Sequence, residues 1–325
     1  MDKAPKKRIF ALSARSIILL ASLALNFHLL TKMTEKPLDI ITFPNANLRD
    51  TYFTAHNVKA AHKISTGKGI KVGIMDWHFG YAAHPNLYAG TVNFSQYKNG
   101  LDPEEHGLWM ANALKEIAPD CEVYALCTYS ILEGRKVDNM VKAIDWAIEN
   151  NIDVLTYSNM AFLFKKNRAK IDEAVNKAVK HGIVTTFIHY DNPNNLFPNG
   201  FFGSIDNNNK GRKVDVNILH YDYNTLFQNR YEGYKKNRGH SIIREIIGGN
   251  VPYLSASSTS PVLAGFVAIL KSINPDLSPA DYKYILIKTS YQTEYDDWGF
   301  RRKWNIPRAV DIGKAAAYTH SNKSP

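Results

Sequence analysis

Between residues 69 and 189 the chain alternates two kinds of apolar pattern, and that alternation restricts its fold more than any other feature. "GIKVGIM" (69–75), "EVYAL" (122–126), "IDVLTY" (152–157) and "IVTTFIH" (183–189) are short, nearly unbroken apolar runs. Between them, "HGLWMANALKEI" (106–117), "VDNMVKAIDWAIENN" (137–151) and "AKIDEAVNKAVKHG" (169–182) place apolar residues three or four apart. Unbroken runs suit strands buried on both faces, and the wider spacing suits helices with one apolar side. Their alternation predicts an α/β fold, a doubly wound and mainly parallel sheet with helices on both faces. Residues 190–256 read as loops rich in Asn, Gly and Tyr, with a short strand at 214–219. Two helices, 258–273 and 279–290, then follow.

The first of these two helices opens in an unusual way. "SASSTSPVLAGFVAIL" (255–270) passes from small hydroxylated residues straight into an apolar run. Ser and Thr oxygens can bond the free N–H groups of a first helical turn, and Pro261 suits that turn because its missing N–H costs nothing there. The run that follows has almost no polar side, which predicts a helix buried all round. In an open α/β sheet, ligands bind beyond the carboxyl ends of the strands. Asp76 directly follows the strand 69–75, His106 begins the helix 106–117, and Ser257 precedes the buried helix. A carboxylate, an imidazole and a hydroxyl thus all fall at strand ends or helix starts.

These segments resemble those of the subtilisin-like serine peptidases. "GKGIKVGIMDWHFGYAAHPNLYAG" (67–90) is similar to the family's aspartate segment, "EEHGLWMANALKEIAPDCEVYAL" (104–126) to its histidine segment, and "GNVPYLSASSTSPVLAGFVAILKSINPDLSP" (249–279) to its serine segment. The intervening helix–strand pairs and a closing stretch at 298–316 extend the likeness over roughly 55–316. The order Asp, His, Ser distinguishes this family from the other main triad orders. The resemblance implies a three-layer subtilisin-like fold and a serine endopeptidase acting through an acyl-enzyme. In it Ser257 is the nucleophile, His106 the general base and acid, and Asp76 the carboxylate that orients the imidazole. It also implies a second oxyanion donor after the strand 183–189. Strict register gives Asp191 and a shift of one gives Asn192; we favour Asn192, because an amide has N–H donors and a carboxylate has none.

Several positions depart from the family pattern. Asp-Thr/Ser-Gly is here Asp76-Trp77-His78, His-Gly-Thr-His is His106-Gly107-Leu108-Trp109, and the Gly-Thr before the serine is Ser255-Ala256. The specificity-pocket wall Ser-Leu-Gly is Ser158-Asn159-Met160. These departures give weight to a rival reading, a catalytically inactive subtilase fold that serves as a binding or scaffold protein. Cofactor readings have little support. Gly67 and Gly69 precede a strand where a dinucleotide fingerprint would follow one, and no His/Cys spacing suggests a catalytic metal. No cofactor is expected for catalysis, and structural calcium is left open.

The chain of 325 residues carries a net charge of +10 and is 45% hydrophobic. Half the charge surplus comes from residues 1–36, and the later basic clusters are mixed with acids, which favours a solvated surface over a nucleic-acid partner; the family resemblance implies protein or peptide substrates. "MDKAPKKRIFALSAR" followed by the apolar "SIILLASLALNFHLL" (16–30) has the charge asymmetry of an export signal or a membrane anchor. The expected organisation is this segment at 1–36, a linker at 37–60, a peptidase domain at 61–318 and a tail at 319–325, in an exported protein that is secreted, periplasmic or membrane-anchored. Cys121 and Cys127, six residues apart on one strand, would stand roughly 20 Å apart and cannot form a disulfide.

Overall fold

The computed structural model describes residues 56–96, 101–130, 134–135, 137–158, 164–188, 190, 192–200, 215–218, 256–297 and 302–322. All of them lie in one unit, Asn47–Pro325. The N-terminal segment 1–36, the expected export signal or anchor, lies outside the described residues, as do Asn159, Met160, Asp191 and Ser255. Among the described residues no helix is long and apolar enough to cross a membrane.

The apolar runs form one parallel sheet. Its strands are β1 (Lys71–Asp76), β2 (Gly90–Asn93), β3 (Glu122–Cys127), β6 (Val154–Tyr157) and β7 (Val184–Phe187), in the order β2-β3-β1-β6-β7. Each neighbouring pair is parallel. A small hairpin, β4 (Tyr129–Ser130) with β5 (Gly134–Arg135), extends beyond β3. A second sheet has the order β10-β11-β9-β8, built from β8 (Pro198–Gly200), β9 (Val216–Ile218), β10 (Tyr291–Asp297) and β11 (Arg302–Ala309). Its β9 falls inside the strand expected at 214–219.

Helices cover both faces of the parallel sheet. Side chains alternate across a strand, and the two cores follow that alternation. Val72 and Ile74 of β1 join Val123 and Ala125 of β3 on one side. Met75, Leu126, Leu155 and Phe187 point to the other. The first side is covered by α1 (Val58–His62), α2 (His106–Ile117), α5 (Thr259–Ile273), α6 (Pro279–Thr289) and α7 (Ile312–Ser321). The second is covered by α3 (Val137–Glu149) and α4 (Phe164–Lys180). The expected three-layer α/β architecture is therefore present.

The structure adds elements that the sequence pattern does not signal. His56, Asn57 and the start of helix α1 lie within the stretch expected as linker (37–60), yet this segment joins the core. Val58 and Ala61 are fully buried, and His56 Nδ1 bonds the carbonyl of Val310 at 2.8 Å. At the other end α7 runs to Ser321 with Thr319 buried, so the ordered domain reaches into the expected tail. Asp311 starts α7 by accepting the Lys314 N–H at 2.9 Å. Helix α6 starts on a capping box, in which Ser278 and Asp281 each accept the other's backbone N–H.

Helix α5 is the centre of this arrangement. Apart from half-buried Ser272, all of its residues from Thr259 to Ile273 are buried, and it packs against α2, β1, β6, β7 and β8. Gly265 permits the closest of these approaches, since a Cβ there would stand 2.7 Å from both Cβ and Cγ2 of Ile117 on α2. A glycine inside a helix costs about 1 kcal/mol relative to alanine, so its presence reflects the crossing and not the helix. Gly265→Ala should lower the thermal midpoint despite the better helix former, because overpacking typically costs about 1–3 kcal/mol. A raised midpoint would show that α2 and α5 can separate freely.

Candidate active site

The carboxyl end of β1 and the start of α2 meet at Asp76 and His106. The imidazole Nδ1 lies 2.8 Å from Asp76 Oδ2 and 2.9 Å from Oδ1. Asp76 has no exposed side-chain surface, and that of His106 is 16% exposed. An ionised carboxylate only accepts, so Nδ1 carries the proton, and in the neutral ring Nε2 is the acceptor. The Trp77 N–H also donates to Asp76 Oδ1, at 2.9 Å. Two donors, the His106 Nδ1–H shared between both oxygens and the Trp77 N–H, thus hold a buried charge that would otherwise be costly. The negative charge is felt nearby: the Tyr88 phenol is pushed well above its usual range, by burial first and by Asp76 second. Its hydroxyl donates to the carbonyl of Phe79 at 2.5 Å.

Backbone contacts set the distance between the two segments. The Gly107 N–H donates to the Trp77 carbonyl at 2.8 Å, and a Cβ on Gly107 would fall 2.6 Å from that oxygen. Only glycine fits directly after His106. The ring of Trp77 stands edge-on to Tyr129, with centroids 5.1 Å apart, and Trp109 lies 6.4 Å from the His106 ring.

Ser257 occupies a 3₁₀ turn, Ala256–Ser258, that leads into α5 and packs against α2. Four neighbouring hydroxyls compete for attention here, and burial separates them. Ser258, Thr259 and Ser260 are 3%, 0% and 0% exposed, whereas Ser257 is only half-buried. The start of α5 is tied to the sheet by Thr186 Oγ1, which donates to the Ser260 carbonyl at 3.1 Å. The free N–H groups of a first helical turn, and the helix dipole behind them, favour negative charge at this place.

Asn192, the expected oxyanion donor, makes side-chain hydrogen bonds of its own. Its amide nitrogen donates to Asp172 Oδ1 at 2.9 Å and to the Tyr190 hydroxyl at 3.0 Å. Its amide oxygen accepts the Asn194 N–H at 2.9 Å. The Tyr190 hydroxyl also bonds Asp172, Arg168 Nε reaches both oxygens of Asp172 at 2.8 Å, and the guanidinium lies over the Tyr190 ring at 4.8 Å. The Asn192 amide nitrogen is therefore engaged both within the loop after β7, at Tyr190, and with Asp172 on α4. The partner residue, Asp172, lies twenty positions upstream, and no local motif announces it. Asp191, the strict-register alternative, lies outside the described residues.

The two cysteines have no part in this arrangement. Cys121 and Cys127 are buried and not joined in a disulfide, and burial pushes the Cys121 thiol up to about 12, far from a reactive thiolate. Among the described residues no group of three His, Cys, Asp or Glu side chains could hold a metal ion.

No family model matches the chain. Over 142 residues it is 28% identical to the minor extracellular protease Epr of Bacillus subtilis (strain 168), a match covering 39% of this chain and 21% of Epr. Over 137 residues it is 26% identical to Subtilisin Savinase of Lederbergia lenta, covering 38% of this chain and 49% of that one. The matches thus span less than half the length of these curated relatives. Among solved structures, a lanthipeptide protease superposes with a TM-score of 0.61 at 15% identity, over 84% of this chain and 96% of that one. MycP1 from Mycobacterium smegmatis gives a TM-score of 0.57 at 16% identity, over 87% and 89%. The chain has the subtilisin-like fold, and its sequence is similar to that of subtilases.

The Asp172 network has a measurable acid dependence. Burial alone would raise this carboxyl above its ordinary 3.8, but hydrogen bonds from Tyr190, Asn192 and Arg168 and the charge of Arg168 bring it below. A carboxyl depressed in the folded state stabilises fully above its unfolded value, and that contribution is lost as pH falls through the folded one. Asp172→Asn should therefore be less stable than the parent protein at pH 7 by chemical denaturation, with the gap closing below about pH 3.8. A gap that is constant with pH would contradict a stabilising ionised Asp172.

Proposed function

We propose that the protein is an exported serine endopeptidase that hydrolyses peptide bonds through an acyl-enzyme on Ser257. The observation that carries this reading is the buried carboxylate–imidazole pair, Asp76 with His106, on the helix against which the Ser257 turn packs. A serine hydroxyl is a weak nucleophile until an adjacent base takes its proton. With Nδ1–H committed to Asp76, His106 presents Nε2 as that base, and Asp76 stabilises the imidazolium that forms. The proton then passes from Nε2 to the leaving amine, and a water repeats the sequence to release the acyl group.

The developing oxyanion would meet the backbone N–H groups where the turn enters α5, with the helix dipole of fifteen residues behind them. Asn192 enters this reading as a residue that fixes the loop after β7, because its N–H groups are already engaged. Protein or peptide substrates follow from the chemistry, with no cofactor. Export follows from the basic and apolar N-terminal segment, which would be either removed as a signal or retained as an anchor at a membrane.

That same commitment of Asn192 favours a second reading, a catalytically silent subtilisin-like fold that binds partners, since a side-chain oxyanion donor would be lacking. The two readings separate cleanly in mutational kinetics. Ser257→Ala should abolish hydrolysis of an unfolded protein substrate and labelling by a fluorophosphonate, while the thermal midpoint is retained. His106→Ala and Asp76→Asn should each lower the rate by orders of magnitude, and the double variant should be no worse than the poorer single one, because triad members act as a unit. Hydrolysis that survives Ser257→Ala would overturn the assignment. A folded parent protein that takes no label would establish the silent reading.

A further inference from the structure

Two residues beside the Asp76–His106 pair are unused by the mechanism above, and they form a pair of the same kind. His78 Nδ1 lies 2.9 Å from Glu105 Oε2. His78 is two positions after Asp76, and Glu105 immediately precedes His106. The same two chain segments are therefore joined twice by an imidazole and a carboxylate, with donor and acceptor exchanged between them. In the first pair the carboxylate comes from the β1 end and the imidazole from α2; in the second the order is reversed.

We propose that His78 and Glu105 are positioning residues that hold the start of α2 so that His106 stays against Asp76. Three observations support this role. The first is the conformation of His78, whose φ of 56° is left-handed, a region costing a non-glycine residue roughly 1–2 kcal/mol. A glycine would be free of that cost, and the imidazole is what His78 offers in its place. The second is Glu105, the residue at the N-cap of α2. Its side chain makes no cap bond to the helix and turns to His78. The third is the backbone around the pair. Both the Glu105 N–H and the Leu108 N–H donate to the His78 carbonyl, each at 3.2 Å. The segments are laced further by Tyr81 N–H to Leu101 and Gly80 N–H to Pro103, each at 2.9 Å.

The two side chains have unequal exposure, 10% for His78 and 43% for Glu105. The carboxylate approaches from the solvent side and fixes an imidazole that is itself largely buried. The Trp77 ring lies 4.2 Å from the His78 ring, tilted by 46°. In the same two segments Glu104 and His84 face each other at 3.6 Å. An ionised Glu105 only accepts, so His78 Nδ1 bears the proton in this pair as His106 Nδ1 does in the other. A partner that orients a functional imidazole from outside the reacting atoms commonly changes rate about tenfold or more when removed.

The proposal rests on the catalytic reading for its kinetic arm only. The experiment uses the full chain and the variants His78→Gly, Glu105→Ala and Glu105→Gln. It measures the saturating rate and half-saturation of fluorophosphonate labelling, the thermal midpoint, and the titration of the His106 imidazole by NMR. His78→Gly and Glu105→Ala should each slow saturating labelling about tenfold with half-saturation unchanged. Glu105→Gln, whose amide oxygen still accepts from His78 Nδ1, should retain most of the rate. In His78→Gly the His106 titration should move to lower pH, because a loosened Asp76 stabilises the imidazolium less. Unchanged rates and an unchanged His106 titration would overturn the proposal, and equal losses in Glu105→Ala and Glu105→Gln would contradict a hydrogen-bonded tie. If the folded parent protein takes no label, the titration decides alone. A shift in His78→Gly then upholds the positioning role while the peptidase reading falls. If His78→Gly does not fold, the comparison of the two Glu105 variants carries the test.

Discussion

A carboxylate with no solvent exposure has to be satisfied entirely by its neighbours, and at Asp76 this requirement organises much of the molecule. Two contacts from the His106 ring and one from the Trp77 N–H meet it. Each depends on geometry set elsewhere. Asp76 is placed by β1, which is paired on both sides within the parallel sheet. His106 is placed by α2, whose first residues are tied to the β1 extension through Gly107 and His78. Removing any one donor would leave a buried charge short of partners, a cost of a few kcal/mol.

In the proposed mechanism the fold must also bring Ser257 to this pair without looseness. Helix α5, which follows the Ser257 turn, is a core element buried against α2 and the sheet. Its burial against α2 and the sheet holds it in place, and the contact of Gly265 with Ile117 sets how near the two helices come. A change deep in the core, at Gly265, is thereby coupled to the spacing between the helix that carries His106 and the turn that carries Ser257. The Asp172 cluster does comparable work on the loop after β7, fastening Tyr190 and Asn192 to α4.

Much of this was legible in the sequence, for reasons that differ between elements. Helix α2 was readable to the residue because its apolar positions follow a helical period and it lies wholly between turn residues. Strands β1, β3, β6 and β7 were readable because burial on both faces leaves few polar positions. Strands β10 and β11 were not, since "YQTEYDD" and "RKWNIPRA" show neither alternation nor an apolar run. Their pairing comes from proximity across a short connection. Helix α1 is too short for a period to show. In the site, Asp76, His106 and Ser257 stood out because each lies in a local motif at an element boundary. The His78–Glu105 contact joins residues twenty-seven apart and needs a left-handed histidine, which no pattern of residue types specifies. Asn192 was read from the resemblance and the chemistry of its amide. The same N–H groups that suit an oxyanion also suit Asp172, which no local pattern announces.

The central claim is that Ser257, and no neighbouring hydroxyl, is the nucleophile served by His106 and Asp76. Mass-spectrometric mapping of the protein after reaction with a fluorophosphonate tests it most directly. One phosphonyl group per chain, on the peptide containing Ser257 and localised to that residue, is the predicted result. An adduct on Ser258 or any other residue, or none on a natively folded protein, would contradict it.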